Sequence, residues 1–185
     1  MRLALERHRD SQGATAATGI EVEITWPAPG VLALTYVVSG DIAALALPPA
    51  APAARTDELW RHTCLEAFVG EGGEAGYYEF NLAPSGQWAA YRFHGYRQDM
   101  EVAGGAGDPR IHSASTPDRH TLTATLTLAG LPGLSPDAAW RLALSAVIEQ
   151  IDGQKSYWAL AHPSGRADFH HADGFSQFLT PAERA

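Results

Sequence analysis

Apolar residues along this chain recur with period two, not with the 3.6-residue period of a helix. Ile20-Glu21-Val22-Glu23-Ile24-Thr25-Trp26 alternates strictly, and Thr121-Leu122-Thr123-Ala124-Thr125-Leu126-Thr127-Leu128 does the same with threonines at the polar positions. Successive side chains of a strand point to opposite faces, so such runs set one apolar face against a core and one polar face toward water. Val31 to Val38 is rich in β-branched residues, which pack well on a pleated surface. Further strands are predicted over Thr63 to Val69, Tyr77 to Leu82, Gln87 to His94, Arg141 to Ile151, Ser156 to Ala161 and Phe175 to Leu179. Tyr77 to Leu82 and Gln87 to His94 read as a hairpin about the turn sequence Ala83-Pro84-Ser85-Gly86. A short turned entry is expected at Asp57 to Trp60, and Asp137 to Leu144 has room for a helical turn.

About nine short strands separated by frequent turns predict an all-β fold, an antiparallel β-sandwich of jelly-roll type with short helical turns at most. The 185 residues suffice for one sizeable core, so one domain is expected over 1–185, its first ~15 residues flexible. The Pro/Ala-rich stretch Leu47 to Ala54 reads as a surface loop rather than a linker, because the piece before it is too short for a core of its own.

The formal net charge is -8 and lysine and arginine are not clustered, which argues against a nucleic-acid or anionic-membrane partner. No stretch approaches a transmembrane span, and the N-terminus lacks the apolar segment of a signal peptide, so a cytoplasmic location is expected. Cys64 is the single cysteine and cannot form an intramolecular disulfide.

Candidate chemistry lies in five places. If Thr63 to Val69 is a strand, Cys64, Glu66 and Phe68 share a face. A carboxylate between a thiol and a phenyl ring needs a partner: a ligand hydroxyl, or Arg92 or Arg97 on a neighbouring strand. In the next strand Tyr77, Glu79 and Asn81 share a face, and that polar row either lines a cleft or is a solvated sheet face. His162, Asp168, His170, His171 and Asp173 lie close together in sequence, but adjacent strand residues point apart and nothing has the spacing of HExxH or a Cys/His zinc site, so no metal is expected. No nucleophile can be assigned: Cys64 reads as buried packing, and Ser85 and Ser164 sit in Pro-Ser-Gly turns rather than a GxSxG elbow. Trp60, Trp88, Tyr91, Tyr96, Tyr157, Trp158 and Phe169 serve either the core or stacking on a sugar.

Read together, Glu58-Leu59-Trp60-Arg61-His62-Thr63-Cys64-Leu65-Glu66-Ala67-Phe68, then Tyr77-Tyr78-Glu79-Phe80-Asn81, then Ser156-Tyr157-Trp158 and Asp168-Phe169-His170-His171-Ala172-Asp173-Gly174-Phe175 resemble the family nine carbohydrate-binding modules and the related DOMON domains, in order and spacing from about Trp60 to Leu179. The resemblance implies a β-sandwich in which Trp60 and Phe169 occupy the positions that clamp a terminal sugar, and Glu66 that of the family's glutamate. Asn81 stands where the family carries an arginine. The reading that follows is a non-catalytic small-ligand-binding module, with a carbohydrate in an aromatic-lined cleft. Trp60, Glu66, Glu79, Asn81 and Phe169 are its ligand contacts, and Arg97, Trp158 and His170 are secondary candidates. The DOMON likeness implies an alternative, a haem-b electron-transfer domain with Met100 and one of His162, His170 or His171 as axial ligands. An enzyme of unknown class is the second alternative.

Overall fold

Twelve antiparallel strands make up the computed structural model, which describes residues 1–11 and 15–184. They are β1 (Arg2–Arg7), β2 (Ala17–Ala28), β3 (Val31–Gly40), β4 (Cys64–Glu71), β5 (Tyr77–Leu82), β6 (Trp88–Phe93), β7 (Glu101–Val102), β8 (Arg110–Ser115), β9 (Arg119–Thr127), β10 (Trp140–Glu149), β11 (Lys155–Ala159) and β12 (Gln177–Leu179). Among the described residues the only helical segments are 3₁₀ turns at Ile42–Ala44, Leu59–Arg61, Ala172–Gly174 and Pro181–Arg184. The all-β sandwich read from the sequence is the fold observed.

The hydrogen-bonded order is β7-β6-β5-β4-β10-β11-β1-β2-β3-β9-β8, with β12 added to β10. β1 is the join: Arg2 to Leu5 pair with β2, while Glu6 and Arg7 pair with β11. The two halves on either side of β1 close on each other. Ile20, Val22, Leu34 and Leu122 of one half and Leu65, Phe80 and Leu142 of the other belong to a single core, none more than 1% exposed. Burying each such side chain contributes about 1.5–3 kcal/mol. Tyr36 reaches across the core, and its hydroxyl donates to the Glu66 carbonyl at 2.7 Å, so the one polar atom on that ring is satisfied and β3 is tied to β4.

The halves differ in how they meet water. β2, β3 and β9 alternate buried and accessible positions along their length, so the outer face of their half is solvated. β4 is buried at all but its last residue and β5 throughout, so the outer face of the second half is covered as well. The cover follows from topology. β11 pairs with Ser145 to Glu149 and β12 with Trp140 to Leu142, along the same edge of β10. The chain between them leaves that edge, lies over the sheet and returns. Phe169 in this segment, and Leu59 in the turn before β4, pack on an outer aromatic cluster that includes Phe68, Tyr77, Tyr91, Phe93 and Phe175.

Some expectations are corrected. The flexible N-terminus gives way at Arg2–Arg7 to a strand with partners on both sides; the part of that expectation falling on Gln12, Gly13 and Ala14 lies outside the described residues. No helical turn extends over Asp137 to Leu144: β10 begins at Trp140, whose indole N–H donates to the Ser135 carbonyl at 2.8 Å. Arg110–Ser115, which shows no apolar alternation, is a strand because β9 supplies its partners. The Pro/Ala-rich stretch is a strap along the start of β6. Ala51 N–H donates to the Ser85 carbonyl, Trp88 N–H to Ala54, and Thr56 N–H to Trp88.

Candidate functional site

Register places the predicted polar residues together. Glu66 on β4 lies opposite Asn81 on β5 on one side and Ser145 on β10 on the other. Ser145 Oγ donates to Glu66 Oε2 at 2.8 Å, Asn81 Nδ2 donates to Glu79 Oε1 at 2.6 Å, and Cys64 Sγ lies 3.5 Å from Asn81 Oδ1. Glu66 and Glu79 are 3% and 5% exposed. The trio Glu66, Glu79 and Asn81 is thus one connected row on the covered outer face. Its fourth member, Ser145, is not singled out by the sequence. The available signal is the inward set Leu142, Leu144 and Ala146, which turns residues 143, 145 and 147 outward.

Neither arginine proposed as a partner of Glu66 pairs with it. Arg92 lies over the Tyr78 ring on the opposite face, 3.7 Å from Glu101. Arg97 donates to Asp168 Oδ1 at 2.8 Å, and Tyr96 OH donates to Asp168 Oδ2 at 2.5 Å. Two further arginines lie on this side: Arg55 is taken by Asp57 at 3.0 Å, and Arg141 lies 4.4 Å from the Phe175 ring centre and donates to the Ala75 and Gly76 carbonyls at 3.1 and 3.3 Å. Burial, together with the neighbouring Glu79, holds the Glu66 carboxyl up at about 8, and burial holds Glu79 up at about 7. The hydrogen bonds from Ser145 to Glu66 and from Asn81 to Glu79, and the Arg97 charge acting on both, pull the other way without offsetting burial.

Aromatic rings surround the row. Tyr77 and Phe93 stack at 5.0 Å, and His170 sits edge-on to Phe68, Tyr77 and Phe93 at 5.0–5.8 Å. The Tyr77 hydroxyl accepts from the Arg97 backbone N–H at 3.2 Å and lies 2.8 Å from His170 Nδ1, while His170 Nε2 faces Glu79 Oε2 at 3.7 Å. Burial, then the Arg97 charge, lowers the imidazole to about 4, so it is neutral near pH 7.

The two clamp candidates flank this face. Trp60 is 47% exposed in the turn Leu59–Arg61, with the Arg61 guanidinium 5.3 Å from its ring centre. Leu59 anchors the turn on the aromatic cluster, Lys155 Nζ donates to the Arg61 carbonyl at 2.5 Å, and Glu58 enters it in the left-handed region at φ 63°. Arg97, at φ 53°, is likewise left-handed. Such backbone in a non-glycine residue is strained, and strain of this kind gathers at ligand sites. Phe169 is half-buried, tilted against Tyr157 at 6.3 Å and His162 at 6.5 Å. Trp158 does not join them. It pairs across from Ala146, points into the main core at 4% exposure, and donates its indole N–H to Ser156 Oγ at 2.9 Å.

The haem candidates fare differently. Met100 is 61% exposed; His170 is committed to Tyr77 and faces Glu79; His162 Nε2 donates to the Glu6 carbonyl at 2.8 Å; His171 Nδ1 accepts from Asp173 N–H at 3.2 Å. His170, His162 and His171 thus each have one ring nitrogen in a hydrogen bond, and Met100 lies at the surface. Among the described residues no three His, Cys, Asp or Glu side chains are grouped to hold a metal ion. Two hollows of about 340 and 320 Å³ open elsewhere, one beside Tyr78 and Arg92 and one beside Trp140 and Arg184; neither touches the polar row.

No known family model matches this chain, and no curated protein matches it. Solved structures do. A candidate carbohydrate-binding protein from Bacteroides uniformis matches 94% of this chain and 83% of its own length, with a TM-score of 0.68 at 14% identity. A family nine carbohydrate-binding module from Caldicellulosiruptor kristjanssonii, in complex with cellotriose, matches 88% of this chain and 75% of its own, with a TM-score of 0.51 at 13% identity. At these identities the likeness concerns the backbone: this chain has the β-sandwich fold of the family nine carbohydrate-binding modules.

Proposed function

We propose that the protein is a non-catalytic carbohydrate-binding module whose ligand sits over the outer face of β4, β5 and β10. The observation that carries this reading is the row Glu66, Glu79 and Asn81. Three polar side chains from two strands are brought nearly out of solvent, hydrogen-bonded to each other or to Ser145, beneath two loops that each present an aromatic ring. A merely structural sheet face would carry apolar residues there, since burying carboxyls without a charged partner is costly. A sugar offers hydroxyl donors to such carboxylates and C–H faces to Trp60 and Phe169. Sugar binding on this fold is what the cellotriose complex shows for its own protein. No nucleophile stands out: Cys64 is sealed in the strand with its thiol pushed up by burial, which leaves it inert near pH 7.

The test is a panel of mono- and oligosaccharides titrated against the intrinsic tryptophan fluorescence, with Trp60 as the exposed reporter. A saturable change with at least one sugar at millimolar concentration or below is expected, and Trp60→Ala should abolish it. A silent panel, confirmed by calorimetry, rules the reading out.

A further inference from the structure

The polar row is covered over. Glu66, Glu79 and Asn81 are all nearly out of solvent, and neither hollow extends to them. The cover is made largely by residues 161–176, between β11 and β12. This segment is not part of the sheet. The ladder bonds of β11 end where Leu160 N–H donates to the Leu144 carbonyl, and pairing resumes with Gln177 opposite Leu142. Between those points the backbone N–H groups of His171, Gly174, Phe175 and Ser176 all donate to carbonyls of the segment itself. Among the described residues, no backbone hydrogen bond ties residues 161–176 to the strands beneath. Side chains hold them instead. His162 bonds the Glu6 carbonyl at one end, and Phe175, 4% exposed, lies under the Arg141 guanidinium at the other. In the middle, Asp168 takes both the Tyr96 hydroxyl and the Arg97 guanidinium, and His170 meets the Tyr77 hydroxyl. Tyr96 and Arg97 belong to one turn, closed by Gln98 N–H on the Gly95 carbonyl, and both side chains are about half exposed.

We propose that residues 161–176 are a lid over the polar row, latched by Asp168 to Tyr96 and Arg97, and that the lid lifts off the sheet while the sandwich stays folded. The role given to this motion rests on the sugar-binding reading above, in which a ligand must reach the row. A segment without ladder bonds, held through solvent-exposed side-chain contacts, opens at lower free energy than the strands of the core. The latch is a single carboxylate, and its partners come from one turn in which Arg97 is held left-handed at φ 53°. His162 and Phe175 mark the two ends about which the lid turns, and Phe169, the second clamp ring, rides between them. Opening uncovers the row and carries that ring away; closing brings the ring down and excludes water, as binding-site lids do.

The experiment is native-state digestion of the intact protein with trypsin, following by mass spectrometry the cut after Arg166, an exposed residue of the lid. Where opening and closing are faster than cleavage, the rate reads the population of the open form. Lid opening exposes far less surface than global unfolding, so in wild type the rate should be nearly independent of urea below the unfolding transition. Tyr96→Phe combined with Arg97→Asn removes the latch without altering the sequence the protease reads, and asparagine tolerates the left-handed backbone at position 97. This variant should be cut about tenfold faster, the equivalent of ~1.4 kcal/mol, with the urea midpoint of the whole protein little changed. A wild-type rate that climbs with urea as steeply as global unfolding, or no cut after Arg166 until the protein unfolds, overturns the lid. So does a folded latch variant cut at the wild-type rate. If the variant fails to fold, the wild-type urea series decides alone. None of these outcomes involves a sugar, so the binding reading stands or falls separately, on its own panel.

Discussion

The buried carboxyl pair should make the protein lose stability as the solution turns alkaline. In the unfolded chain both glutamates release their protons near the ordinary glutamate value of 4.5, whereas the folded protein holds them to about 8 at Glu66 and about 7 at Glu79. Between those limits the folded state binds more protons, so stability is fully present below 4.5 and falls as pH rises through the folded values. His170 acts in the opposite sense at lower pH. Held near 4 against 6.5 unfolded, it adds stability as pH rises from about 4 to 6.5 and is silent above that. The clean window is pH 6.5 to 8.5. At 1.36 kcal/mol per pH unit for each group still protonated only in the folded state, Glu66 accounts for about 2 kcal/mol across it and Glu79 for well under 1. Glu66→Gln preserves the Ser145 hydrogen bond, because Ser145 is the donor, and removes the titration. Urea unfolding of wild type and variant at pH 6.5, 7.5 and 8.5 reads the effect directly. Wild type should lose about 2–3 kcal/mol over the window and the variant less than half of that. Wild-type stability that is flat or rising from 6.5 to 8.5, or a variant with the same slope as wild type, would show that this pair is not held protonated, and the argument from desolvation would fail.

Three further outcomes are expected. Trp60→Ala should weaken sugar binding about tenfold or more, as loss of a stacking ring worth roughly 1–3 kcal/mol requires, while changing the unfolding midpoint little because the ring is half exposed; unfolding of this variant would place the ring in the core instead. Phe80→Ala should destabilise by about 3–5 kcal/mol, since Phe80 is 1% exposed between the two halves, and a loss below about 1 kcal/mol in chemical denaturation would contradict the packing described. Haem titrated into the purified protein should give no shifted Soret band; a band that Met100→Ala abolishes would establish the Met/His axial pair, Met100 being 61% exposed and free to move.

The strands most legible in the sequence are those with one wet face. β2 and β9 alternate because water solvates every second residue, so their central stretches are read, while the strands themselves extend to Ala17–Ala28 and Arg119–Thr127. The faces of β4 and β5 are also legible, because period two holds whatever covers the sheet, so Glu66 with Phe68 and Glu79 with Asn81 are grouped correctly. What covers that face is not legible. It depends on β11 and β12 sharing one edge of β10, a pairing between segments with no local signal. For the same reason the partners of Glu66 are misjudged. Ser145 lies 79 residues away, and Arg97 is drawn off by Asp168, itself 71 residues from it. Trp158 is misplaced because β11 is only five residues long and puts aromatics on both faces, Tyr157 outward and Trp158 inward, a choice that the register with Ala146 decides.

The join at β1 has a consequence for how the chain comes together. Its first pairing, with β2, is local and can form as soon as both strands exist, whereas its second, with β11, links residues 6 and 7 to residues 158 and 159. Loop closure over most of the chain must precede that contact, so closing the sandwich is a late and slow event. Until then the β1-β2-β3 meander presents a free backbone edge. Arg2, Glu6 and Arg7 along that edge are the charged side chains that discourage it from pairing with another copy in the meantime. Replacing them with apolar residues would leave the finished fold its hydrogen bonds and expose the nascent chain to aggregation.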